Sequence, residues 1–231
     1  MLDVNWLGRV DYDEAWEMQK TAVSARHKNP NLPDQLFLLE HPPTYTLGRK
    51  GKLENLLLTE TELGNGGFTL RWVDRGGDIT YHGPGQLVGY PILNLKRYFN
   101  AHGKPRPDLH QYLRNLEEVI IQALAEYGLF GWRLDGYTGV WVSSIRGPEK
   151  IAAIGVKVSG SGISSHGFAL NVNPDLLHFE NIIPCGIREH GVTSMAVVGK
   201  RPFTTTDLIQ PITRAFQNVF NHKEARARAV S

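Results

Sequence analysis

The segment Arg75-Gly-Gly-Asp-Ile-Thr-Tyr-His-Gly-Pro-Gly-Gln-Leu-Val88 carries the tightest glycine cluster in the chain, set around a Thr-Tyr-His core. Glycine lets a backbone take positive φ or come close to a ligand. Two glycine pairs in this spacing describe a strand-edge loop that receives a substrate. A tight hairpin around a buried histidine fits the same letters. The segment lacks the Gly-Lys-Ser/Thr ending of a Walker loop and the Gly-x-Gly-x-x-Gly spacing of a dinucleotide fingerprint.

Working outward, Phe68 to Val73 alternates as a strand on one side of the loop and Leu87 to Leu95 continues as a strand on the other. Pro91 inside the second strand predicts an edge or a bulge at that point. Asp11 to His27 reads as a helix with Ala15, Trp16, Met18, Ala22 and Val23 on one face, capped by Asp11 or Asp13. Gln35 to Leu39 and Thr44 to Leu47 follow as short strands. The clearest helix is Asp108 to Tyr127, where Leu109, Tyr112, Leu113, Leu116, Val119, Ile120 and Leu124 recur at three- and four-residue steps before Gly128. Strands are expected over Trp132 to Leu134, Gly139 to Ser143, Lys150 to Val158 and Phe168 to Val172. A last helix runs from Thr206 to Phe220 with Pro211 near its start, and Lys223 to Arg228 is a frayed tail. Hairpins interleaved with helices predict the α+β class, a mixed β-sheet with flanking helices.

Composition narrows the function classes. The 231 residues, 41% hydrophobic and 21% charged, suffice for a buried core in one domain spanning 1–231. A net charge of +2 is too small for nucleic-acid binding by bulk electrostatics. No apolar run approaches the roughly 20 residues of a membrane span. The N-terminus, with Asp3, Asp11 and Asp13, does not read as a signal peptide, so a cytoplasmic protein is expected. The one cysteine, Cys185, excludes an internal disulfide and any multi-cysteine metal site. The histidines show no metal-binding spacing, so no metal is predicted.

Three further positions carry chemistry or imitate it. Cys185 sits in Ile183-Pro-Cys-Gly-Ile187, a turn composition that sets a thiol at a loop tip, although a lone cysteine is more often a small buried hydrophobe. Lys150 heads the apolar run Ile151-Ala-Ala-Ile154, where a strand-end lysine is ordinarily solvated. His166 reads as a satisfied structural histidine rather than a ligand.

Taken together, Arg75–Val88, Lys150-Ile-Ala-Ala-Ile-Gly-Val156, His166-Gly-Phe-Ala-Leu-Asn-Val-Asn173 and Pro184-Cys-Gly-Ile187 resemble the octanoyltransferase (lipoate-protein ligase B) family, in the family's order and over about residues 5 to 220. Val192-Thr-Ser194 fits the segment after the cysteine. The resemblance implies the fold of the biotin and lipoate ligase catalytic domain, no cofactor, and octanoyl transfer from octanoyl-acyl carrier protein to a lysine of lipoyl domains. The acceptors implied are the 2-oxoacid dehydrogenase complexes and the glycine cleavage H protein. By motif position Cys185 is the acyl-thioester nucleophile and Lys150 its partner. Substrate contacts fall on Arg75, Gly76, Gly77, Asp78, Ile79, Thr80, Tyr81 and His82, on Ala153, Ile154 and Gly155, and on Gly167, Phe168 and Ala169. Ser159-Gly-Ser-Gly-Ile163 departs from the family by one extra residue, at a loop expected to close over the acyl chain.

The chemistry fits those residue types. An ordinary thiol titrates near ~8.5, so a neighbouring ammonium is needed to make a thiolate at neutral pH. The resulting tetrahedral oxyanion needs N–H donors, expected from Gly76–Gly77 or Gly155 and worth about 3 kcal/mol each. In the second step the same lysine, now neutral, takes a proton from the incoming amine. Burying seven acyl carbons contributes roughly 5–6 kcal/mol before entropic costs. Arg49, Lys50, Lys52, Lys96–Arg97 and Lys104–Arg106 form a candidate docking patch for acidic partners. Two rivals remain: an ATP-dependent lipoate or biotin ligase on the same fold, and a non-catalytic acyl or lipoyl-domain binding protein.

Overall fold

A computed structural model describes residues 1–99, 108–183 and 190–220, with the backbone of 225–229. In chain order the elements are β1 (Leu2–Arg9), α1 (Tyr12–Lys28), β2 (Asp34–Glu40), β3 (Thr44–Leu47), α2 (Glu60–Asn65), β4 (Thr69–Trp72), β5 (Ile79–His82) and β6 (Gln86–Ile92). Then come α3 (Lys96–Phe99), α4 (Leu109–Ala125), β7 (Val140–Ser144), β8 (Gly147–Val158), β9 (Ser164–Asn171), β10 (Gly191–Val192), α5 (Met195–Gly199), α6 (Ile209–Val219) and β11 (Ala225–Ala229).

The main sheet runs β10-β8-β9-β6-β2-β1-β11, with β7 also paired to β8; β4-β3-β5 form a second, smaller sheet. Parallel pairs (β1–β2, β1–β11, β8–β10) and antiparallel pairs (β2–β6, β6–β9, β8–β9, β7–β8) occur in one sheet, the expected mixed α+β arrangement. The larger core cluster includes Tyr112, Leu116, Val119, Ile120 and Leu124 of α4 with Ile212 and Phe216 of α6, packed on Leu87, Ile151, Ala152, Phe168 and Leu170. A second cluster holds Ala15 of α1 with Val88, Tyr90 and Ala169. The third, with Tyr45, Leu47, Ile79 and Tyr81, belongs to the small sheet. Among the described residues no helix is long and apolar enough to cross a membrane.

The helices end where their sequences say they should, with exceptions that have causes. The Asp108 side chain accepts the Gln111 N–H at the start of α4, and beyond its end Gly128, at φ 71°, sits where Leu129 N–H turns back to Leu124 O. Asp11 occupies the N-cap of α1 without a side-chain cap bond, and Asp13, the other candidate cap, is held by Arg71. Instead of a helix from Thr206, a capping box between Thr204 and Asp207 starts a 3-10 turn, Thr205–Leu208, and α6 follows with Pro211 in its first turn.

Pro91 does not lie on an edge. β6 is interior, pairing Leu36 with Pro91 on one side, while the ladder to β9 covers only Gln86 to Gly89. Where that ladder lapses, the Ser164 hydroxyl donates to Pro91 O and accepts the Leu93 N–H, so the missing proline donor leaves no gap. Residues 132–134 form only an isolated bridge, Trp132 to Trp141. The expected frayed tail contains a strand, Ala225–Ala229, parallel to β1. β1 itself carried no sequence expectation.

Candidate active site

A cavity of about 640 Å³ opens between the glycine loop and the β8–β9 ladder. Lys150 lines it because of an irregularity in β8. Val140 pairs with Ala152 and Trp141 with Lys150, so Ile151 is an extra residue in the bulged strand. Ile151 and Ala152 consequently both enter the core, and the alternation resets so that Lys150 shares the cavity face with Ala153 and Gly155. Lys150 is thus three residues inside β8 and half-buried, not a solvated strand end. Its Nζ lies 4.8 Å from the centroid of the buried Trp141 ring, which also meets the rings of Tyr137 and His190. Trp141 Nε1 is buried without a hydrogen-bond partner among the described residues. Thr193 N–H donates to Lys150 O at 3.0 Å, fixing the strand that follows the cysteine segment alongside the lysine.

The glycine loop crosses β8 at Gly155. A Cβ there would fall 2.9 Å from Gly76 O and 3.1 Å from Arg75 Cδ, so only glycine permits the approach. Gly76 N–H donates to Val156 O, which removes it as the expected oxyanion donor. The two charged loop side chains are consumed internally. Arg75 donates to Gly76 O, Thr46 O and Thr46 Oγ1, while Asp78 accepts from Lys52 N–H, Asn55 Nδ2 and Ile79 N–H. Both still line the cavity, with Gly76, Gly77, Ile79, Thr80 and His82. Tyr81 departs from expectation: it is turned into the small-sheet core, where its hydroxyl bonds His178 Nδ1.

His82 forms the cavity's inner wall through a directed relay. Gln86 Nε2 donates to Tyr81 O and Asn171 Oδ1, so Gln86 Oε1 must accept from His82 Nδ1–H. Asn171 Nδ2 in turn donates to Thr193 O. Burial holds His82 well below the ordinary imidazole value, so it stays neutral. Behind it, His41 Nδ1–H donates to Val10 O and Nε2 accepts from Tyr90; burial pulls His41 down to about 4.

Ala153, Ile154, Gly155, Gly167, Phe168 and Ala169 all line the cavity, paired Ala153↔Ala169, Ile154↔Phe168 and Gly155↔Gly167. His166 lies one pair further on and also lines it. Ser159–Ile163 does not close over this space. Ser159 and Ile163 line a smaller cleft of about 170 Å³, and Ser161 Oγ bonds His27 Nδ1. Cys185 falls outside the described residues, as do Lys104 and Arg106. Of the candidate docking patch, Lys50 lines the cavity, whereas Arg97 donates to Leu32 O and Pro30 O just past the C-terminal end of α1. Sequence reasoning missed Tyr12, Tyr90, Trp141 and Asn171, whose placement depends on long-range pairing.

Comparison with known proteins gives a consistent result. The lipoyl protein ligase A/B catalytic domain family matches residues 11–217. An octanoyltransferase of Chloroflexus aggregans is 51% identical over 202 residues, covering 87% of each chain. Another, of Rubrobacter xylanophilus, is 50% identical over 220 residues, covering 94% of this chain and 93% of that one. Among solved structures, the bipartite lipoate protein ligase of Thermoplasma acidophilum superposes with a TM-score of 0.74 over 99% of this chain and 87% of that one, at 16% identity, a likeness of fold.

Proposed function

The chain belongs to the lipoyl protein ligase A/B catalytic domain family, with the octanoyltransferases, and is an acyltransferase; we propose that it moves octanoyl from octanoyl-acyl carrier protein to lipoyl-domain lysines through a thioester on Cys185. The observation that carries this reading is the placement of Lys150 on the cavity face of β8, at one end of a slot walled by the Ala153–Gly155 and Gly167–Ala169 segments. His190, five residues after Cys185, packs on the Trp141 ring over which Lys150 Nζ lies.

In this reading the Lys150 ammonium favours the Cys185 thiolate, which attacks the octanoyl carbonyl and expels the carrier thiol. Lys150 gives its proton to the leaving sulfur. It then takes one from the acceptor ammonium, whose amine attacks the acyl-enzyme to form an amide and return the thiol. No nucleotide enters either step. The chain acts as one catalytic domain over 1–231 in the cytoplasm, on the acceptors of the 2-oxoacid dehydrogenase complexes and the glycine cleavage H protein.

Intact mass measurement after mixing with octanoyl-acyl carrier protein tests the reading. A covalent octanoyl adduct on Cys185, absent in Cys185→Ala, is the expected result. Undiminished transfer by Cys185→Ala, or a strict requirement for ATP, sinks it.

A further inference from the structure

Glu117 is a buried acid to which the transfer chemistry gives no part. It lies on α4, and both of its carboxylate oxygens are engaged. Oε2 accepts from Arg114 Nη1 at 2.7 Å and from Arg133 Nε at 3.1 Å. Those two arginines are partly exposed and could meet a carboxylate at the surface. Oε1 instead accepts the Gly139 N–H at 3.0 Å, inside the protein. Taking a carboxylate out of water is costly, and a hydrocarbon in its place is often no worse for stability. The ion pairs therefore do not account for the burial, whereas a bond to an interior backbone N–H requires it.

Gly139 is the residue that this bond holds, and its neighbours are those of the lysine. It is buried, directly precedes β7 and takes φ 120°. A Cβ on it would fall 2.5 Å from Ala152 O and 3.6 Å from Lys150 Cε, so the bare glycine fits against the β8 backbone and the lysine stem. The register shift that makes Ile151 the extra residue falls between Val140 and Trp141, the two residues that follow Gly139. Gly136, Tyr137 and Thr138, just before it, line the cavity. One hydrogen bond from α4 thus reaches the backbone where the turn, the bulge and the lysine stem meet.

We propose that Glu117 is a positioning residue for Lys150. Through the Gly139 N–H it pins the entry of β7, and with it the bulge and the Trp141 ring that seat the ammonium in the cavity. Its effect on rate rests on the octanoyl-transfer reading; its effect on where the lysine sits does not.

The test reads the lysine's seat and the reaction separately, in the full chain. Protons above the face of an indole ring resonate upfield. In protein labelled with 13C-lysine, the ε-methylene signal of Lys150, assigned by its loss in Lys150→Arg, therefore reports the seat whose Nζ lies 4.8 Å from the Trp141 centroid. Steady-state transfer from octanoyl-acyl carrier protein to a lipoyl domain gives kcat and KM. In Glu117→Ala the signal should move toward those of the exposed lysines. Its kcat should fall about tenfold to a hundredfold with the donor KM changed by less than about threefold, since misplacement of a reacting group acts on the chemical step. Glu117→Asp is one methylene short: the arginines can follow the carboxylate but the backbone N–H cannot, so it should behave as Glu117→Ala does. Arg114→Gln removes an ion pair and spares the Gly139 bond. Its signal should stay in place and its kcat within about twofold of wild type, even where its urea midpoint falls. Should Glu117→Ala fail to fold, Glu117→Asp and Arg114→Gln decide. A folded Glu117→Ala or Glu117→Asp with the Lys150 signal at its wild-type position overturns the proposal. So does an Arg114→Gln variant that moves the signal as far as the Glu117 variants do, because the ion pairs would then explain everything. A wild-type protein that transfers no octanoyl fails the parent reading alone, and the lysine signal still decides the positioning role.

Discussion

The Lys150 ammonium and the Trp141 ring are cross-strand neighbours with 4.8 Å between nitrogen and centroid, a distance at which the ring quadrupole attracts a cation. An interaction of about 0.5–2 kcal/mol corresponds to roughly twofold to thirtyfold in any step that needs the lysine charged and in place. Substituting the ring separates its face from its N–H. Trp141→Phe keeps an aromatic face and loses Nε1, so acyl-enzyme formation should fall by no more than about threefold. Trp141→Leu loses the face as well, and both acylation and the rate of Cys185 alkylation by iodoacetamide should drop about tenfold. Equal rates in the phenylalanine and leucine variants would show that the ring face does nothing for the lysine.

At the scale of elements, the close crossing of the glycine loop over β8 is the feature on which the cavity depends. In Gly155→Ala the new Cβ meets Gly76 O and Arg75 Cδ, so the loop has to lift and the Gly76 N–H to Val156 O bond has to lengthen. A stability loss of about 1–3 kcal/mol with a raised KM for the acyl donor is expected, measured by urea unfolding and steady-state kinetics. Gly160→Ala supplies the contrast, since nothing lies within 4 Å of its Cβ position; that variant should remain within about 0.5 kcal/mol of wild type. Similar losses in both would mean that the close crossing is not what Gly155 serves, since relief of glycine entropy alone would stabilise. The glycine loop was legible in the sequence because two glycine pairs announce it. The bulge that turns Lys150 inward was not, since Ile151-Ala-Ala-Ile154 reads equally well as a regular strand, and the register of β7 alone creates the extra residue.

Across the whole molecule, legibility follows the range of the interaction. α4 was clear from a period of three to four apolar residues, of which Tyr112, Leu116, Val119, Ile120 and Leu124 are buried against the sheet while Leu109 is exposed. The interior place of Pro91 and the burial of Gln19 on α1 depend on partners tens of residues away, Leu36 and His166. So do three histidines drawn from different segments, His41, His82 and His166, each held below the ordinary imidazole value by burial. They make stability depend on pH with a definite sign. In the unfolded chain they gain protons as pH falls through about 6.5, while the folded protein keeps them neutral, so the unfolded state binds more protons and folding weakens. The stabilisation is complete above 6.5 and is lost towards the folded values, about 4 for His41. His41 alone should cost about 2–3 kcal/mol between pH 7 and 4.5, and its two companions act in the same direction. Urea midpoints should therefore fall by about 1 M or more across that interval, and His41→Asn, less stable at pH 7, should show a shallower slope. A midpoint that stays level from pH 7 to 4.5 would mean that these imidazoles do not stay neutral in the folded protein.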